Sequence, residues 1–271
     1  MSRTKNQRLH ELAELVRTGE CHRRHMPYKV GVDLGTANIA LVVVDRNNRP
    51  VTGITYPSTV VKDGVVVDYL TASRVVSELK GKLEKRLGCV LERAATAIPP
   101  GISAGDTKVI VNVVESAGFT VTNVVDEPVA AATALNISEG AVVDVGGGTT
   151  GMSILHNGKV VFSADEPTGG SHMTLVLSGA TGLSYEEAEE MKKTFENEEQ
   201  VFPVILPVVE KMASLVSAWL VNRSAERLWL VGGASSFKEF AGVFSQITGI
   251  PSTVAPEPLL VTPLGIAINA K

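Results

Sequence analysis

The chain has 271 residues, 44% of them hydrophobic, and a formal net charge of −4. That length can bury a sizeable core in two lobes, and the mild negative charge excludes the basic excess with which proteins grip nucleic acid or anionic membrane. Cys21 and Cys89 lie far apart and suggest neither a disulfide framework nor a metal-ligand cluster.

Residues 1–26 stand apart. Leu9, Leu12, Ala13, Leu15 and Val16 recur at helical spacing, while Arg3, Lys5, Arg8 and Arg17 make the segment basic ahead of the run from His22 to His25. The helix either packs back on the first lobe or docks a partner. His22 and His25 have no third ligand nearby, which disfavours a metal site. The charged start lacks the apolar core of a signal peptide. The longest apolar stretch noted, from Ala213 to Val221, falls short of a membrane span, so a cytoplasmic location is expected.

From Tyr28 the pattern predicts strands over 30–32, 39–44, 51–54 and 65–68, a helix over 71–87, and a strand over 94–98. A helix over 104–117 ends at Gly118, suited to a left-handed cap, before a strand over 121–125. The second half predicts strands over 141–145, 151–156 and 159–164, helices over 170–179, 184–197 and 201–222, and a strand over 228–231. Ser184 and Glu187 form a capping box, and Pro263-Leu264-Gly265-Ile266-Ala267 reads as a helix start. The expected division is an N-terminal helix over 1–26, lobes over 27–140 and 141–262, and a C-terminal helix over 263–271 returning to the lobe interface.

One unit occurs twice. The strand-like Lys29-Val30-Gly31-Val32 runs into Asp33-Leu34-Gly35-Thr36, and Val142-Val143 runs into Asp144-Val145-Gly146-Gly147-Gly148-Thr149; each is followed by another strand. In such turns glycine lets backbone N–H groups approach anionic oxygens, and the aspartate can hold a hydrated Mg²⁺. Asp126-Glu127-Pro128-Val129-Ala130-Ala131-Ala132 places Glu127 at a strand-to-helix junction facing a cleft, and Leu230-Val231-Gly232-Gly233-Ala234-Ser235 ends a strand where a flat base can lie on backbone.

In order, these segments resemble the actin-like ATPase superfamily. Residues 31–38, 98–132 and 144–149 are similar to DnaK-type chaperones. The stretch Ser163-Ala164-Asp165-Glu166-Pro167-Thr168-Gly169-Gly170, the Leu228-Trp229-Leu230 strand and the short length resemble the EutJ-type ethanolamine-utilisation proteins, usually described as chaperone-like. The resemblance implies an α/β fold of duplicated ribonuclease-H-like lobes with a nucleotide cleft between them, and ATP or ADP with Mg²⁺ as ligands. It implies that Asp33 and Asp144 orient Mg²⁺ through its waters. Gly35, Thr36, Ala37, Asn38, Gly146, Gly147, Gly148 and Thr149 would hold phosphates, with Glu127 acting on the attacking water beside the two aspartates. Gly169, Gly170, Gly232, Gly233 and Ala234 would complete the cradle. Glu189 and Lys192, three apart on one helix face, either touch ribose and adenine or form a solvated charged face.

Three departures bear on activity. Ala37 replaces a hydroxyl residue, Gly151 stands where those chaperones place an acid, and Lys80 and Lys82 are the candidates for a phosphate-binding lysine. Loss of one transition-state donor costs on the order of 10²–10³ in rate, so slow hydrolysis to ADP and phosphate is expected. No peptide-clamping domain is expected after the core. The implied partner is therefore an ethanolamine-pathway enzyme or a microcompartment protein, reached through lobe closure, with no nucleic acid and no membrane span. A sugar or acetate kinase would need an acceptor pocket, for which residues 55–69 offer only Asp63 and Asp68. The chain could also serve as a filament scaffold like MreB or FtsA, or as a nucleotide-binding regulator without turnover. An iron–sulfur activase would need closely placed cysteines.

Overall fold

A computed structural model describes residues 3–23 and 25–271, with side chains from Gln7 onward; Arg24 of the histidine-flanked run and the side chains of Arg3 and Lys5 lie outside the described residues. Helix α1 (Arg3–Thr18) buries Leu9, Leu12 and Leu15. Strands β1 (Lys29–Leu34), β2 (Asn38–Val44) and β3 (Pro50–Pro57) follow as an antiparallel meander. The stripe of α1 packs on β3, where Gly53 leaves room for Leu12 and Val16. This is the packed-back arrangement, and it leaves the docking reading without an apolar face on that helix.

A hairpin of β4 (Val61–Lys62) and β5 (Val65–Val66) leads to α2 (Tyr69–Leu87), capped at its start by the Asp68 side chain and at its end by left-handed Gly88. Then come β6 (Arg93–Ile98), α3 (Ala104–Ser116), β7 (Thr120–Asp126) and α4 (Glu127–Leu135). The first sheet has the order β3-β2-β1-β6-β7, with β6 and β7 parallel to β1. Parallel neighbours need crossover connections, which the helices supply.

The second lobe repeats this plan. Strands β8 (Gly140–Val145), β9 (Thr150–His156) and β10 (Lys159–Glu166) form the meander, followed by α5 (Gly170–Thr181), α6 (Tyr185–Lys193) and α7 (Glu198–Trp219). Next come β11 (Leu228–Val231), α8 (Phe240–Thr248), β12 (Ser252–Val254) and α9 (Pro258–Asn269). The order β10-β9-β8-β11-β12 matches the first sheet strand for strand. Each sheet has its own apolar core, one with α2 and α3 and the other with α5, α7 and α8.

Between the lobes α4 and α9 cross each other, and α9 also lies on β1 and β2. The crossing is close because it is built from small residues: a Cβ on Gly265 would run into the Ala130 carbonyl oxygen, and one on Gly31 into the Ala267 backbone. Contacts this tight have no room for a methyl group.

Several expectations are corrected. The last helix starts at Pro258, not Pro263, which lies in its interior. The segment 184–197 is not one helix: α6 ends at Lys193, Thr194 is extended, and a 3-10 turn, Phe195–Asn197, precedes α7. Both α8 and β12 were unforeseen. The span Phe195–Trp219 is long and apolar enough to cross a membrane by length and composition, more than the stretch at Ala213 to Val221 suggested. Its Val201, Ile205, Val209, Met212 and Val216 are buried in the second core.

Candidate functional site

The two Asp-x-Gly turns lie at the carboxyl ends of β1 and β8 and face each other across a cleft of about 560 Å³. Its phosphate-like end is lined by Asp33, Gly35, Thr36, Ala37 and Asn38 from one turn, by Asp144 and Gly146 to Thr149 from the other, and by Glu127 at the start of α4. The turns nearly touch: a Cβ on Gly148 would lie 2.5 Å from the Thr36 hydroxyl and 3.0 Å from the Asp63 amide nitrogen. Asp63 is the tip of the β4–β5 hairpin, so that hairpin reaches over the second turn.

The other end is lined by Gly170, Glu189, Lys192, Gly232, Gly233 and Ala234. Gly169 stands behind the second turn, where a Cβ would meet the Gly147 carbonyl oxygen at 2.7 Å and the Thr149 nitrogen at 2.7 Å. Gly232 has φ +86°, and a side chain there would collide with the Asp144 carboxyl. Only glycine adopts this backbone freely. Glu189 and Lys192 do not form a solvated face, since their side chains are 17% and 9% exposed and make an ion pair of 2.7 Å. Lys192 also donates to the Gly170 carbonyl at 2.8 Å and to the Thr174 hydroxyl at 2.7 Å. Burial pulls the lysine below its usual pKa against the pull of Glu189; burial likewise resists the ionised form of Glu189, but Lys192 brings that carboxyl below its usual value.

At the phosphate-like end the carboxyls crowd one another. Burial, then the charge of Asp144, pushes Asp33 from 3.8 up to about 7. Burial lifts Asp144 to about 6 against the hydrogen bond it accepts from the Thr262 hydroxyl at 2.5 Å. Glu127 is raised well above its usual value by burial and then by Asp144, Asp33 and Asp165. Desolvation and like charge both disfavour the ionised forms.

Asp165, which has no role in the sequence pattern, belongs to this group: burial raises it to about 7, with Asp144 among the charges acting on it. The inference from Gly151 that a carboxylate is missing is therefore corrected, because Asp165 on β10 lies against Gly151. The lysine candidates are also corrected. Lys80 donates to the Gly118 carbonyl at 3.0 Å and sits 4.9 Å above the Phe119 ring, Lys82 is exposed, and neither lines the cleft. Among the described residues the lysines lining the cleft are Lys192 and Lys193, at the end away from the aspartates. No three His, Cys, Asp or Glu side chains among the described residues are grouped to ligate one ion directly. A Mg²⁺ that keeps its waters asks only for carboxylates at its outer shell. A separate groove of about 950 Å³ at the far end of the second sheet, where Arg223 covers Phe162, has no glycine turn or carboxyl cluster.

Comparison with known proteins adds matches to families, to relatives and to solved structures. The family model for MreB/Mbl protein matches residues 56–178 and that for the cell division protein FtsA matches residues 141–265. Ethanolamine utilization protein EutJ of Salmonella typhimurium is 41% identical over 246 residues, 90% of this chain and 86% of that protein. The crystal structure of the ethanolamine utilization protein EutJ from Carboxydothermus hydrogenoformans superposes with a TM-score of 0.93 at 46% identity, covering 98% of each chain. MreB5 of Spiroplasma citri, solved with AMPPNP and with ADP, superposes at TM-scores of 0.73 and 0.72 with 19% identity over 90% of this chain and 96% of that one, a likeness of fold alone.

Proposed function

This chain belongs to the EutJ family of ethanolamine utilization proteins and has the actin-like ATPase fold, and from that premise we propose that it binds ATP and ADP with Mg²⁺ and uses the resulting lobe closure to act on a protein of the ethanolamine pathway. The observation that carries the reading is the pair of Asp-x-Gly turns, one from each duplicated sheet, meeting across a cleft into which Glu127 also projects. The donor set fits a hydrated divalent cation. Burial holds Asp33, Glu127 and Asp144 toward their acid forms, with neighbouring carboxylates adding to it for Asp33 and Glu127, a balance that a cation among them reverses.

Each residue then has a task suited to its type. Asp33 and Asp144 hold the water shell of the ion, and the turn glycines present backbone N–H groups to phosphate oxygens. Glu127 orients a water and accepts its proton. Gly232, Gly233 and Ala234 receive the base against bare backbone, and Glu189 and Lys192 stand ready for ribose and base. Bound Mg²⁺ would supply neutralisation of phosphate charge. Solved neighbours of this fold hold AMPPNP and ADP, which supports the ligand class. The name shared by the relatives supports the pathway; a chaperone-like task on an enzyme or microcompartment protein in the cytoplasm is the further part of this proposal.

One observation favours a second reading, binding without useful turnover: among the described residues no lysine or arginine lines the phosphate-like end. Thermal unfolding with saturating Mg²⁺-ATP tests the site, since ligand at about 100 times its Kd adds roughly 2.7 kcal/mol and raises the midpoint by several degrees. No shift at millimolar nucleotide overturns the reading. A shift without phosphate release on prolonged incubation selects the second.

A further inference from the structure

Asp165 is the direct antiparallel partner of Gly151, two residues beyond Thr149 of the second turn. Directly opposed residues project on one face of a sheet, and here one of the two has no side chain. Asp165 fills the vacated space, its Oδ1 lying 3.1 Å from the place a Gly151 Cβ would take. Around the same place are Pro128 Cγ at 3.4 Å, next to Glu127, and Pro100 Cδ at 3.5 Å. The carboxyl therefore stands between the second turn and the start of α4.

Its oxygen Oδ1 is buried with no hydrogen-bond partner. The charges acting on the group are all acidic, Asp144, Glu166 and Asp63, and only the nearby Thr149 hydroxyl favours its ionised form. A carboxyl kept for stability would be expected to have a donor or a cation, because an unsatisfied buried acceptor is costly. The Thr149 hydroxyl is the one donor acting on the group, no cation is among the charges acting on it, and Oδ1 is left without a partner. What the position offers is an unused buried acceptor just behind the lining of the cleft, close enough to Asp144 and Glu127 for their charges to act on one another.

We infer that Asp165 is a positioning residue of the Mg²⁺-nucleotide site, holding from β10 the carboxylate that β9 lacks at Gly151 and accepting a hydrogen bond from the water shell of the ion. The inference rests on the nucleotide reading above. It makes the two positions a single unit: a side chain at 151 and a carboxyl at 165 compete for one space.

The test uses the full chain in four forms, wild type, Asp165→Ala, Gly151→Asp, and Gly151→Asp with Asp165→Ala. The readouts are the unfolding midpoint of the free protein and the Mg²⁺ concentration giving half of the ATP-induced shift. Asp165→Ala should leave the free protein no less stable and raise the Mg²⁺ requirement about tenfold, the usual scale for an outer-shell partner. Gly151→Asp should lower the free midpoint by crowding two carboxyls. The double variant should recover most of the wild-type Mg²⁺ dependence, since it moves the carboxyl across the strand pair instead of deleting it. If the double variant does not fold, Asp165→Asn, which keeps the shape and removes the charge, must show the tenfold loss. A normal wild-type shift that Asp165→Ala and Asp165→Asn leave untouched overturns this inference alone. A wild type without any shift overturns the nucleotide reading and this inference with it.

Discussion

The two phosphate-like turns come from the same strand-turn-strand unit, yet they are supported differently. The second is tied on every side: the Gly146 amide donates to the Thr149 carbonyl at 3.0 Å, and Gly170 and Ser171 at the start of α5 donate to the Gly146 and Gly147 carbonyls at 2.9 and 2.7 Å. Its aspartate is fastened to Thr262 of α9. The first turn has Gly35 where the second has three consecutive glycines, and its Ala37 carbonyl accepts from the Ser58 amide at 3.1 Å, on the segment leading to the hairpin. Glu189, Lys192 and Gly232 also belong to the second lobe. The two lobes share the sheet order and the aspartate, and differ in how firmly each turn is tied to its own lobe.

The largest effect should come from breaking what both turns share. Gly265→Val drives a side chain into the Ala130 carbonyl at the α4–α9 crossing. Overpacking at a backbone contact costs on the order of 3 kcal/mol, lowering the unfolding midpoint by about 6–12 °C. Gly242→Ala on α8, where nothing lies within 4 Å of the new Cβ, serves as the control and should match or slightly exceed wild type. Equal midpoints for the two variants would remove the crossing from its place as common support.

A smaller effect separates the turns. Asp33→Asn and Asp144→Asn should both abolish most of the Mg²⁺-ATP shift, measured by thermal unfolding. In the free protein Asp33→Asn should raise the midpoint, because it removes a buried like-charged group. Asp144→Asn should raise it less, since the exchange also weakens the bond to Thr262. Identical free-protein midpoints would erase the distinction between a fastened aspartate and an unfastened one.

The mildest effect is set by pH. Carboxyls whose folded pKa lies above the unfolded value take up protons on folding. Their contribution to stability is complete below about 3.8 and is lost as pH rises through about 6 for Asp144 and about 7 for Asp33 and Asp165, with Glu127 moving in the same direction. Denaturant unfolding of the free protein should therefore show stability from this cluster declining from pH 5 to pH 8. Asp33→Asn should flatten the decline, and a parallel curve would locate the titration elsewhere.

Much of this was legible in the chain. Apolar runs stopped by Asp-x-Gly marked both turns, the repeat marked the duplication, and the diglycine at Gly232 marked a backbone that a side chain would obstruct. Glu127 was readable from its place before Pro128 at a strand-to-helix junction. Lys80 misled because its spacing from the turns says nothing of where α2 points it, and the structure spends its charge on the carbonyl of Gly118. The start of α9 was misplaced because Pro258 and Pro263 both suit a first helical turn, and only the first stands there.

Neighbours along the chain decide strand and helix periods, capped ends, and glycines at turns, and for these the order of residues suffices, because all are local consequences of backbone sterics and apolar spacing. Other features wait on packing between distant segments: that the α1 stripe is spent on β3, that the hairpin tip at Asp63 reaches Gly148, and that Asp165 stands over Gly151. Each of these depends on strand register or lobe juxtaposition. A shift of one residue in register would send Asp165 to the other face of its sheet.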